Sequence, residues 1–270
     1  MKNALWTLLL VSSQAMSATI AVIDSGVDVE HKDLANNIWV NLKEIADNSR
    51  DEDRNGYQDD VYGWNFAEQN NLVIDRKYIG TFSADPYMFF DIQGKMFLQE
   101  ATPAEMKWLD SKRGDADFIK EMSIFGNFVH GTHVAGITAI NNANASILSV
   151  KLIPTEVSPF AKQMKLEVEG VDQNQKNWRL KLLKKGLSAL AAQQVKLLEE
   201  IAAYVGGHKA DIANGSFGTG FPQAKMITNG MFKLAMGREP STQEGDDIAK
   251  YFLNELIREG RQMVCLLYTS

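Results

Sequence analysis

The chain has 270 residues, 45% of them hydrophobic, enough to bury one sizeable core, and a single large α/β domain is a simpler expectation than two small ones. A formal charge of −6 and a pI near 5.3 speak against nucleic acid as a partner, because phosphate binding relies on concentrated Lys and Arg. The only cysteine, Cys265, excludes a disulfide within the chain, so stability must come from the core or from bound ions.

The first element is a leader. MKNALWTLLLVSSQAMSA sets Lys2 ahead of an apolar run from Ala4 to Val11, then small residues Ala15, Ser17 and Ala18 where a signal peptidase would cut. Residues 1–18 therefore read as a secretory signal peptide, and the mature protein as secreted or periplasmic; a buried N-terminal strand or helix is the plainer alternative. No later segment reaches the ~18 apolar residues of a membrane span.

Next comes ATIAVIDSGVD, β-branched and apolar, a buried strand that delivers Asp24 into a turn. Open α/β sheets hold their chemistry at the carboxyl ends of strands, so position alone makes Asp24 a candidate. Residues 41–66 are polar and turn-rich. Within them, DEDRNGYQDD places oxygen ligands at Asp51, Asp53 and Asn55, a sharp turn at Gly56, and Asp59 and Asp60 just beyond. That spacing suits calcium, which takes about six to eight oxygens, although the twelfth position from Asp51 is Tyr62 rather than the bidentate Glu of an EF-hand. A solvated acidic turn is the alternative.

Residues 67–124 alternate aromatic clusters with charged helical patches such as TPAEMKWLDSKR, where Thr102 can cap a helix and Pro103 takes a tolerated first-turn position. They read as an insertion or lid packed on the main domain. FGNFVHGTHVAGITAI, residues 125–140, then carries two of the four histidines, and its small apolar residues suit a closely packed helix beginning near His130. Histidines at this spacing can ligate zinc, serve as one base beside a bystander, or be merely structural; no HExxH and no nearby cysteine supports the metal.

SILSVKLI, residues 146–153, is a second buried strand, and a helix follows, clearest from Leu180 to Tyr204 and stopped by Gly206 and Gly207. The basic run Lys181 to Lys185 belongs to a face of that helix. ADIANGSFGTG reads as a strand ending in a Gly-rich edge, DDIAKYFLNELIREG as a helix capped by Gly260, and RQMV as the start of another strand. Strands alternating with helices indicate a parallel sheet with helices on its faces. The tail CLLYTS, residues 265–270, can be encoded as TGT CTC TTA TAC ACA TCT, which resembles a transposon-end sequencing adapter, so the natural chain is expected to continue past Val264.

Three of these segments carry a family resemblance. AVIDSGVDVEHKDL resembles the aspartate motif of the subtilisin-like serine peptidases, HGTHVAGI resembles their histidine motif in the family's order, and IANGSFG is similar to their substrate-binding strand. The resemblance covers about residues 19–66 and 126–264. It implies a subtilisin-like three-layer α/β fold, a mostly parallel sheet flanked by helices, C-terminally truncated here. It also implies a serine endopeptidase acting on protein or peptide substrates through an Asp-His-Ser triad, with Asp24 and His130 as two members and no cofactor for catalysis. His133 is then a structural helix residue. Ser216, Phe217 and Gly218 would pair with substrate backbone as an added strand, although NGSFG alone would pass for a tight turn. Asp33, in HKDL, matches a carboxylate that ligates structural calcium in many members.

Two departures qualify the match. Thr19 leads straight into the aspartate strand, where members commonly carry a pro-segment. The oxyanion asparagine and the nucleophilic serine, in a Gly-Thr-Ser turn, have no counterpart: the pattern breaks at Val264, and Ser270 follows Thr269 without the glycine. Without a nucleophile the covalent route is closed, so these residues alone are expected to be inactive. A non-catalytic peptide-binding protein of the same fold is the alternative function.

Overall fold

The computed structural model describes residues 17–156, 176–216, 218 and 220–267. The signal peptide expected at residues 1–18 lies almost wholly outside them, as do Phe217 and the last three residues of the tail.

The sheet is built on β1 (Ala18–Asp24), whose Thr19–Ile23 run is apolar and β-branched. It pairs in parallel with β3 (Ala145–Lys151) along its whole length, from Ala18 opposite Ala145 to Asp24 opposite Lys151. On its other side it pairs in parallel with β4 (Ile212–Gly215), while β2 (Gly63–Asn65) joins β3, giving the order β2-β3-β1-β4 with every pairing parallel. Such sheets are covered on both faces. Alternate residues here go to opposite helices, as the two-residue period of a strand requires. Ile20, Val22 and Ile147 pack under Ala135 and Ala139 of α3 (Ala116–Ala139). Ala21, Leu148 and Val150, with Trp64 and Phe66, pack against Ile201, Tyr204 and Val205 of α4 (Lys176–Gly207). The expected three-layer α/β arrangement is present, and α4 ends at the anticipated glycines.

Three local expectations differ from what is formed. The histidine helix starts at Ala116, not near His130, because Asp115 caps it by accepting from the backbone N–H groups of Asp117 and Phe118. The end of the region read as an insertion thus forms the first turns of that helix. The rest of it holds α1 (Asp85–Phe97) and α2 (Pro103–Lys112), the latter opened by a full capping box between Thr102 and Glu105 with Pro103 in the first turn. Phe82, Tyr87 and Phe90 bring this region onto α3 through Phe125.

Beyond β4, α5 (Phe221–Met236) is a helix the sequence reading left unassigned, and α6 (Thr242–Leu267) runs on through Gly260 where RQMV was expected to begin a strand. An interior glycine costs a helix only about 1 kcal/mol relative to alanine, and the Arg, Gln and Met after it are good helix formers. Helices α4, α5 and α6 enclose a further core of Leu183, Leu187, Met231, Phe232, Ile248 and Phe252, separate from the two on the sheet.

Candidate active site

Asp24 is the last residue of β1 and has no solvent exposure. The chain turns directly after it at Gly26, whose φ of +108° only glycine adopts without strain. Val27 then donates to the carbonyl of Val73, fixing the turn beneath the 70–75 segment. Asp24 Oδ1 accepts from the Ser25 backbone at 2.7 Å and lies 2.7 Å from Nδ1 of His130, whose side chain is 48% exposed. A donated Nδ1–H leaves Nε2 as the acceptor of the neutral ring, the form a general base requires.

Each residue of His130-Gly131-Thr132 has a physical reason for its identity. A Cβ on Gly131 would stand 2.2 Å from the carbonyl oxygen of Gly26, so only glycine lets α3 approach the turn this closely. The Gly131 amide donates to Ser25 Oγ at 3.1 Å, and Thr132 Oγ1 accepts from the Asp28 amide at 2.9 Å. The helix is thereby locked to the turn that carries the carboxylate. His133 points away from this contact. It is exposed and lines a cavity of about 1120 Å³ together with His31, Asp33, Leu34 and Ile137.

The acidic loop is organised around a residue the sequence reading did not select. Glu44, Asp51 and Asp53 each bring a carboxylate oxygen within 4.8 Å of the others, and this is the group with metal-ligating geometry among the described residues. Burial holds the Glu44 carboxyl above its usual pKa, reinforced by the charges of Asp60 and Glu52, and its Oε2 is buried without a hydrogen-bond partner among the described residues. Oxygen-rich, anionic and converging, these groups suit a hard cation such as calcium.

The other residues read as ligands lie outside this group. Asp59 accepts from the backbone N–H groups of Asn48 and Ser49, and Asn55 bridges its loop by donating to Asp60. Asp60 is fully buried and takes hydrogen bonds from Asn41 and from Tyr204, with His208 Nε2 at 3.1 Å. Burial, with the Asp60 charge behind it, pushes the Tyr204 hydroxyl well above its ordinary pKa. Asp33 is exposed in the cavity wall, whose lining includes no residue of the 51–60 loop. Glu44 offered no signal in sequence, being one acid in a polar stretch seven residues before Asp51.

Ser216 and Gly218 follow β4 and are exposed, and Asn214 donates to Ser216 Oγ at 3.2 Å. Among the described strands β4 is an edge strand, paired with β1 on one side.

The sequence profile of the subtilase family matches residues 16–264. Curated relatives include subtilisin-like protease 1 of Plasmodium falciparum (isolate 3D7), 46% identical over 74 residues that make up 27% of this chain and 11% of the relative. The protein of the same name from Plasmodium vivax is 47% identical over 74 residues, covering 27% and 12%. That from Plasmodium berghei (strain Anka) is 42% identical over 60 residues, covering 22% and 10%. The match thus spans only about a tenth of each relative's length. No solved structure matches significantly.

Proposed function

The chain belongs to the subtilase family, and on that premise we propose that it supplies Asp24 and His130 to the Asp-His-Ser triad of an exported serine endopeptidase. The observation that carries this reading is the 2.7 Å contact between a fully buried carboxylate and a half-exposed imidazole at the end of a central strand. His130 Nε2 takes the proton of the serine hydroxyl as it attacks the peptide carbonyl and returns it to the leaving amine; Asp24 stays ionised, holds the tautomer and stabilises the imidazolium. No Gly-Thr-Ser turn occurs in the 270 residues, so hydrolysis is expected of an enzyme that includes the serine and not of this stretch by itself.

Substrate backbone would add to the free edge beyond β4 at Ser216 and Gly218, giving broad sequence tolerance. Glu44, Asp51 and Asp53 would hold a structural calcium, with Asp33 a second and separate candidate. The Lys2 and Ala4–Val11 leader supports export. The test of the triad assignment is Asp24→Asn in the complete enzyme. A loss of about 10⁴ in kcat with little change in KM is expected, since the wrong tautomer is then favoured; an undiminished kcat overturns it.

A further inference from the structure

Lys151 is among the largest fully buried side chains of the described residues, with 1% of the residue exposed, and the triad chemistry gives it no task. It closes β3 opposite Asp24, the last residue of β1. Paired residues of parallel strands project from the same sheet face, and neighbouring strands lie about 4.8 Å apart. Lys151 and Asp24 therefore leave the sheet side by side, on the face covered by α3.

Their surroundings bind the two together. The amides of Leu152 and Ile153, which follow Lys151, both donate to the Asp24 carbonyl, at 2.7 and 3.2 Å. The Lys151 stem runs beneath the Gly26 turn, its Cδ 3.2 Å from where a Cβ on Gly26 would stand. Its ammonium meets Glu68 Oε2 at 3.1 Å, and that carboxylate is 40% exposed while the lysine side chain is 2% exposed. The Glu68 segment is itself tied to Lys151, whose carbonyl accepts from Phe66 at 2.8 Å. Asp24, meanwhile, has Oδ1 engaged twice and a buried Oδ2 with no hydrogen-bond partner among the described residues. A carboxylate in such a place needs positive charge nearby; the Lys151 ammonium pairs with Glu68 and makes no ion pair with Asp24, so its charge acts on Asp24 through space in the buried sheet edge.

We infer that Lys151 is a positioning residue for the Asp24–His130 pair: its stem braces the Gly26 turn, and its buried ammonium is the cation that lets Asp24 present a charged oxygen to His130. Glu68 tethers that ammonium and does not itself serve the pair. The inference rests on the triad reading above and is separable from it.

The test is the far-downfield proton resonance of the His130 Nδ1–H bonded to Asp24, read by NMR on the full 270-residue chain and assigned by its absence in His130→Ala. It is expected in the unmutated chain, lost in Lys151→Met while the dispersed amide spectrum persists, and restored in Lys151→Arg, which keeps the charge. A folded Lys151→Met chain that retains the resonance overturns the inference and leaves the Asp24–His130 pair standing. Its absence from the unmutated chain overturns both. If Lys151→Met does not fold, Glu68→Gln decides: a retained resonance supports a lysine acting on Asp24, and its loss shows that the ion pair is what matters, overturning the inference.

Discussion

The side chain missing from residue 131 decides how close the histidine comes to its acid. A methyl group there would meet the Gly26 carbonyl at 2.2 Å, so Gly131→Ala must push α3 away from the Asp24 turn. Overpacking of this kind costs about 1–3 kcal/mol, and urea unfolding should show that loss; an unchanged midpoint would mean that helix and turn have room to slide. Asp24 was legible as a carboxylate ending a strand and His130 through the family resemblance of HGTHVAGI, whereas the need for glycine at 131 shows only in the approach of α3 to the Gly26 turn. Glu44 was not, because it joins Asp51 and Asp53 only after the 44–53 stretch folds back, its Oε1 accepting from the Asp53 amide at 3.1 Å. Asp59 and Asp60, ligands by spacing, stand outside that group and accept from backbone amides and from Tyr204.

Among the elements, α2 shows how a short sequence signal becomes a pH-dependent structure. Thr102→Ala removes its cap and should cost about 1 kcal/mol. Glu105, the partner in the capping box, has its pKa held down at about 2, first by the Lys95 ammonium and then by the Thr102 backbone and hydroxyl. A depressed carboxylate stabilises the fold above its ordinary value of 4.5 and loses that contribution as pH falls toward 2. The difference in melting temperature between the unmutated chain and Glu105→Gln should therefore shrink over that interval, and shrink further in salt because the pair is open to solvent in part. A gap that stays constant across it would rule out this linkage.

The helices beyond β4 follow tertiary needs that periodicity does not report. α5 went unassigned, and α6 continues through Gly260 where a strand had been expected. Phe252 of α6 is fully buried against α4 and α5, so Phe252→Ala should cost about 3–5 kcal/mol in calorimetry or urea unfolding. A cost below about 1 kcal/mol would mean that the three helices do not share a core.

At the scale of the molecule, the parallel α/β architecture was legible because buried strands alternate with helices along the chain, while the count of helices and the core among α4, α5 and α6 were not. No disulfide is available, and a cation on Glu44, Asp51 and Asp53 would supply stability instead. Calcium at 100 times its Kd should then stabilise the fold by about 2.7 kcal/mol, and a chelator should reverse this. Glu44→Gln should remove this contribution, and Asp33→Asn should leave this contribution intact while removing that of a second ion; a melting temperature indifferent to calcium and chelator contradicts both sites.

The sheet brings Asp24 to its carboxyl edge and α3 brings His130 to Asp24, and the whole functional reading depends on that meeting. Its most direct test is peptide hydrolysis by the complete enzyme carrying His130→Ala. The triad predicts a fall in kcat of about 10⁶, the loss known for the corresponding change in subtilisin. Activity equal to that of the unmutated enzyme would contradict it.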